Sequence, residues 1–317
     1  MPDGESVVDG RFRPYSSPAV SLTEIEPTSA KTALYDYHHS MLVDSVRVRA
    51  YLRAIFNTVK PGDVVVDIGT GTGLLALFAA AAGARKVYAI EHEPIVEVAM
   101  EVARVNGVAD RIEFVVGKST EVELPEPGDV LVTETIGNAG FDEGILTWVA
   151  DATARLLKPD GRLIPSRLNL MGSLLELPQD HAELEKLSSR LYTFDLSPLR
   201  DLAINKMTYD EVSPVSVVAE PVLLIEADLQ ESPGDMSGSC VLLARRDSTV
   251  HAVGVWFDAL VADGITLTNA PSGGAPSWHQ GIVMLEKPLE LSAGDRVSVD
   301  VEVSENGATW EYLVEAV

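Results

Sequence analysis

Val64-Val-Val-Asp-Ile-Gly-Thr-Gly-Thr-Gly73 is the stretch that decides the fold. Val64 to Ile68 is almost wholly apolar, as in a short strand inside a parallel sheet. Three alternate glycines follow, Gly69, Gly71 and Gly73, and Leu74 to Ala82 then reads as a helix stopped by Gly83. Glycines at such a turn let the backbone come close to a ligand. Their spacing is G-x-G-x-G, whereas the dinucleotide fingerprint G-x-G-x-x-G would need a glycine in place of Leu74. The bland alternative is a tight strand-to-helix turn.

Working outward, Lys60-Pro-Gly-Asp63 is a turn, and apolar spacing before it predicts a helix over Met41 to Asn57. Strands are expected at Lys86–Glu91, Ile112–Val116 and Asp129–Thr133. A helix is expected from Pro94 to Asn106-Gly107, and another over Glu143–Leu157. Lys158-Pro-Asp-Gly161 reads as a turn into Arg162–Ile164. This alternation is a doubly wound α/β sheet. The pattern changes near Pro165. Val297, Val299, Val301 and Val303 alternate with polar residues, Asn306-Gly307 marks a hairpin turn, and Trp310–Val314 returns. With Thr249–Ala259 and Gln280–Leu285, these predict an antiparallel sheet or barrel. Asp180 to Leu202 reads as a mixed helical and irregular excursion. Residues 1–30 are rich in Pro, Ser, Asp and Glu and read as mobile.

Composition narrows the function. The 317 residues carry 24 Lys+Arg against 48 Asp+Glu, a formal charge of -24. That argues against a nucleic-acid partner, which needs a basic face, and is compatible with a cationic substrate. The single cysteine, Cys240, excludes a disulfide framework and a cysteine-rich metal centre, and reads as a buried strand residue. No metal is expected. The N-terminus has no apolar core of a signal peptide, and the longest apolar run, Leu74 to Ala84, is too short for a bilayer. The expectation is a cytoplasmic protein with no membrane partner.

The glycine loop, with Asp67 two residues before Gly69, resembles the S-adenosylmethionine loop of class I methyltransferases. Glu91 ends the next strand and suits a ribose diol, to which a carboxylate offers two acceptors. Glu134 is expected at the C-terminal end of a strand, where open α/β sheets place their sites. Gly137 and Gly140 allow a tight loop, and Glu143 follows nine residues after Glu134. The alternative is a solvated Glu134 and a helix-capping Glu143. Two carboxylates on one loop suit a cation with several N–H donors. In an empty site the two carboxylates should repel, so that one takes up a proton.

The Glu134-x-x-Gly137 spacing with Glu143 resembles the double-glutamate loop of the protein arginine N-methyltransferase family. The similarity runs from about Tyr35 to the C-terminus. It implies a Rossmann-like methyltransferase domain over 31–165 that binds S-adenosylmethionine. An antiparallel β-barrel substrate domain would follow over 166–317, with a helical dimerisation arm at about 178–205. In Tyr37-His-His-Ser-Met-Leu-Val-Asp-Ser-Val-Arg47, the resemblance puts His38 and Arg47 at the cofactor's methionine part and Met41 beside its methyl group. Glu134 and Glu143 would be catalytic, with Tyr35 and Tyr37 capping the site. Family members are commonly homodimers, so a two-fold dimer is expected.

Three departures matter. The family's barrel loop reads Thr-His-Trp, but here Ser277 takes the His place beside Trp278. That leaves Asp44 without its family partner, and His279 either substitutes or faces solvent. Thr120 stands near where the family uses an acid toward adenine, so adenine recognition would rest on backbone and Ser119. The aromatic helix before the fold is shortened. The expected activity is N-methylation of a terminal guanidino nitrogen, leaning to free L-arginine or a small guanidine. Gly/Arg-rich proteins are the alternative acceptor, and a non-catalytic arginine-binding scaffold the distant one.

Overall fold

A computed structural model describes residues 30–188, 190–191, 194–231, 234–273, 277–304 and 309–317. Two helices lead in, α1 (Ala30–Val43) and α2 (Ser45–Thr58). The single helix expected over Met41 to Asn57 is broken at Asp44. Its carboxylate accepts from the N–H groups of Val46 and Arg47 and starts α2 afresh.

The first half then alternates as the sequence predicts: β1 (Val64–Ile68), α3 (Leu74–Ala82), β2 (Lys86–Glu91), α4 (Val96–Val105), β3 (Ile112–Val116), β4 (Gly128–Thr133), α5 (Ile145–Arg155) and β5 (Leu157–Ile164). All five strands are parallel, in the order β3-β2-β1-β4-β5. Every residue of β1 is buried, which is why its sequence is nearly all apolar. The order reverses between β1 and β4, and the crevice beyond their C-terminal ends is where such sheets bind ligands. Two boundaries differ from expectation. α5 starts at Ile145, because Gly144 at φ 81° stands before it, so Glu143 lies in the loop. Lys158–Gly161 is not a turn: it continues β5, and a register shift opposite β4 absorbs the Pro-Asp-Gly segment.

The second half is antiparallel. β6 (Arg167–Leu175) precedes α6 (Pro178–Glu185), β7 (Arg190–Leu191), β8 (Phe194–Asp195) and α7 (Ser197–Ile204). β9 (Met207–Asp210), β10 (Val222–Asp228), β11 (Met236–Leu243), β12 (Ser248–Ala262), β13 (Ile265–Thr268), β14 (Gln280–Leu291), β15 (Arg296–Ser304) and β16 (Thr309–Ala316) follow. The barrel strands form two sheets. One runs β10-β6-β12-β14-β9 with β13 also on β12, and the other runs β11-β15-β16. The Asn306-Gly307 turn lies outside the described residues, as do residues 1–29. Cys240 is half-buried on β11 rather than fully buried, and burial raises its thiol.

One hydrophobic core runs through both halves, from Tyr51 and Val65 to Val299 and Val303. Among the described residues no helix is long and apolar enough to cross a membrane.

Candidate active site

A cavity of about 630 Å³ lies over the β1 and β4 ends. Its floor is the glycine loop. Gly69 and Gly71 hold φ of 67° and 54°, a region that disfavours side chains. A Cβ on Gly71 would reach within 3.1 Å of the His38 ring, and one on Gly69 within 3.0 Å of Thr135 Cγ2. Gly73 caps α3 instead and does not line the cavity.

Asp67 is fully buried. Its Oδ2 accepts from the Thr70 hydroxyl at 2.6 Å, and its Oδ1 has no partner. Burial pushes this carboxyl up to about 7. Glu91 is 6 % exposed at the end of β2. One oxygen accepts from Gly71 N–H at 2.9 Å, and the other from the N–H groups of His92 and Glu93 at 2.8 and 2.9 Å. A carboxylate has about four acceptor sites, so capacity remains for a ligand hydroxyl. His38 and Met41 line the cavity from α1. Burial lowers the His38 imidazole, which favours its neutral form.

Opposite stands the Glu134–Glu143 loop. Gly137 and Gly140 pair across it, and a Cβ on Gly137 would collide with Asp142 Oδ1. That oxygen accepts from Ala139 N–H at 2.9 Å and holds the loop tight. Both glutamates line the cavity. The Glu134 side chain is 7 % exposed; its Oε2 pairs with the Arg47 guanidinium, while its Oε1 is buried without a partner. Burial, then the neighbouring Asp142, raises the Glu143 carboxyl, and Arg47 opposes them. Tyr37 lines the same space, and burial raises its hydroxyl.

Ser277 and Trp278 lie against Arg47. The guanidinium carbon of Arg47 lies 4.9 Å from the Trp278 ring centre, within cation–π range. Trp278 Nε1 donates to Ile136 O at 2.7 Å, so the indole braces the glutamate loop without lining the cavity. Asp44 Oδ2 accepts from Ser277 N–H at 2.6 Å. A main-chain donor therefore meets Asp44, and His279 does not. His279 is exposed, and its N–H donates to Asn138 Oδ1 at 2.8 Å.

Ser119 lines the cavity, while Thr120 is set back from it. Tyr35 lies on α1, outside the described side chains. Sequence reading missed Thr70, Trp148 and Asn269. Trp148 lines the cavity and ties to Glu143 O at 3.2 Å. It sits five residues past Glu143 in the first turns of α5, and no periodicity links it to the loop residue. Asn269 is fully buried, and nothing in its local pattern marks it.

The glycine cradle and the spare capacity of Glu91 fit S-adenosylmethionine. Fold and site define an S-adenosylmethionine-dependent methyltransferase of class I. Residues 179–312 match the model of the arginine methyltransferase oligomerization subdomain, and 48–169 match that of the ribosomal protein L11 methyltransferase PrmA. Protein arginine N-methyltransferase 6 of Danio rerio is 32% identical over 282 residues, covering 84% of this chain and 81% of its own. An arginine N(omega)-methyltransferase of Streptomyces achromogenes subsp. streptozoticus is 34% identical over 275 residues, covering 83% and 74%. The solved Trypanosoma brucei PRMT1 enzyme-prozyme complex with AdoHcy superposes with a TM-score of 0.83 at 28% identity, covering 89% of this chain and 93% of that one. The chain belongs to the protein arginine N-methyltransferase family, and it is an S-adenosylmethionine-dependent arginine N-methyltransferase.

Proposed function

We propose that the acceptor is free L-arginine or another small guanidine, methylated on a terminal nitrogen held by Glu134 and Glu143. The observation that carries the clamp is Arg47. Its guanidinium already pairs with Glu134, and the second Glu134 oxygen is buried and unpartnered. A planar cation therefore fits there, with one carboxylate oxygen left to accept from it. Bound S-adenosylmethionine supplies an electrophilic methyl group. Gly69, Gly71 and Glu91 would hold its adenosyl part, with Asp67 behind the loop and Gly73 turning the chain into α3. His38, Met41 and Arg47 would hold its methionine end, and Ser119, with the backbone beside Thr120, the adenine. Glu134 and Glu143 orient one nitrogen toward the methyl and draw positive charge onto the others, which is catalysis by positioning.

The Streptomyces relative's name supports the small acceptor. So does Ser277, which stands where the family has a histidine and meets Asp44 through its main chain. The names of the zebrafish relative and of one from Dictyostelium discoideum favour a second reading, in which the acceptor is a protein. The chain works as a two-fold homodimer in this proposal. The oligomerization-subdomain match supports it, as do Phe194, Leu199 and Leu202, which stand exposed on the arm.

Intact-product mass spectrometry decides the acceptor. The protein receives methyl-labelled S-adenosylmethionine with either L-arginine or a Gly/Arg-rich peptide. One labelled methyl on free arginine, with the peptide untouched, is the expected result. Labelled peptide beside untouched arginine reverses the assignment.

A further inference from the structure

We infer that Asn269 and Asn138 form a latch that fixes the glutamate loop against the Ser277–Gln280 segment and so sets where Glu134 and Glu143 stand. This rests on the reading of those glutamates as the guanidinium clamp.

Asn269 follows β13 and is fully buried. Its Nδ2 donates to Asn138 O at 2.8 Å and to His279 O at 2.6 Å, and its Oδ1 accepts from Phe257 N–H at 2.8 Å. Asn138 answers in the other direction, its Oδ1 accepting from His279 N–H at 2.8 Å. Gln280 extends the network: its Nε2 reaches Asn269 O at 2.5 Å, and its Oε1 accepts from Val212 N–H at 2.7 Å. Asn138 lies midway between the two glutamates. Chain segments far apart in sequence therefore meet through one amide, and the middle of the loop cannot shift without breaking several bonds. Trp278 adds a separate tie through Ile136 O.

The chemistry requires an amide at 269. Two carbonyls need two N–H donors, and Phe257 N–H needs an acceptor, which only asparagine or glutamine supplies in one side chain. Aspartate is nearly the same shape but has no donors. Asn138 is the reverse case. Its side chain serves as an acceptor toward His279, so aspartate can replace it there. Neither asparagine lines the cavity, so both are positioning residues.

The test compares Asn269→Asp, Asn138→Leu and Asn138→Asp with the parent chain. Hydrogen exchange reads the latch without any substrate. Asn138→Leu speeds exchange at His279 and over residues 135–142, whereas Asn138→Asp keeps the parent's protection. Kinetics with L-arginine or the Gly/Arg-rich peptide read its role. Asn269→Asp and Asn138→Leu lower kcat by on the order of 100-fold, the cost of a misplacement near 1 Å. S-adenosylmethionine binding stays within about twofold, since its residues lie outside the network, and Asn138→Asp restores turnover relative to Asn138→Leu. Unchanged protection in Asn138→Leu overturns the latch. Lost protection with unchanged kcat overturns its positioning role. If Asn269→Asp does not fold, the two Asn138 variants decide alone. Full turnover in Glu143→Gln overturns the glutamate reading instead and is scored separately.

Discussion

Glu143 is the residue on which most of the chemistry turns. Its carboxyl is raised by burial and by Asp142, so in the empty site it holds a proton to higher pH than an ordinary carboxylate. An arriving guanidinium favours the ionised form. Glu143→Gln removes that charge and keeps the shape. We expect kcat/KM to fall about 1000-fold with S-adenosylmethionine affinity nearly unchanged, checked by steady-state kinetics and calorimetric titration. Asp67 gives a second prediction at this scale. Its folded-state carboxyl titrates at about 7, above the ordinary carboxylate range. The folded state thus binds more protons than the unfolded chain between roughly pH 4 and 7, so this group costs stability as pH rises through that window. Asp67→Asn should match the parent protein's stability at pH 4 and exceed it by roughly 4 kcal/mol at pH 8. Denaturant melts at the two pH values check it, and a gain equal at both would contradict the burial argument.

At the scale of elements, Asp44 joins two structures with one carboxylate. Oδ1 starts α2 and Oδ2 holds Ser277 N–H. Asp44→Ala should cost about 1–2 kcal/mol through the lost cap and free the segment over Arg47, while Asp44→Asn should retain most of the cap. Thermal melts of the pair test this. The same residue shows what the sequence could and could not disclose. β1, α3 and β2 were legible to the residue, because each is a buried apolar run bounded by glycine or a turn. The break at Asp44 was hidden because apolar spacing carries across it. Lys158–Gly161 carried turn residues, yet the strand runs on through them because Leu157 and Arg162 on either side pair with β4 and the extra residues are taken up in the register shift. Both glutamates were legible because their spacing is local. Asn269 was not: its partner Asn138 is 131 positions away in the chain, and no periodicity reports a contact of that range. Ser119 lining the cavity and Thr120 set back from it is likewise a matter of local backbone direction.

For the whole molecule, the arm is the feature open to direct trial. Phe194, Leu199 and Leu202 are 69, 50 and 70 % exposed, costly for apolar side chains facing water. Leu199→Glu combined with Leu202→Glu should convert a dimer to a monomer by light scattering and lower turnover. A monomeric parent chain would remove the dimer proposal. The two halves are a different matter. Their junction, Ile164 and Pro165, is buried, and one apolar core passes beneath it. A protease therefore finds no exposed tether there, and neither half can shed the other without opening hydrocarbon to water. Scanning calorimetry should record one endotherm rather than two. The catalytic sheet and the strands around it would then be inherited, lost to heat and altered by mutation as a single cooperative unit.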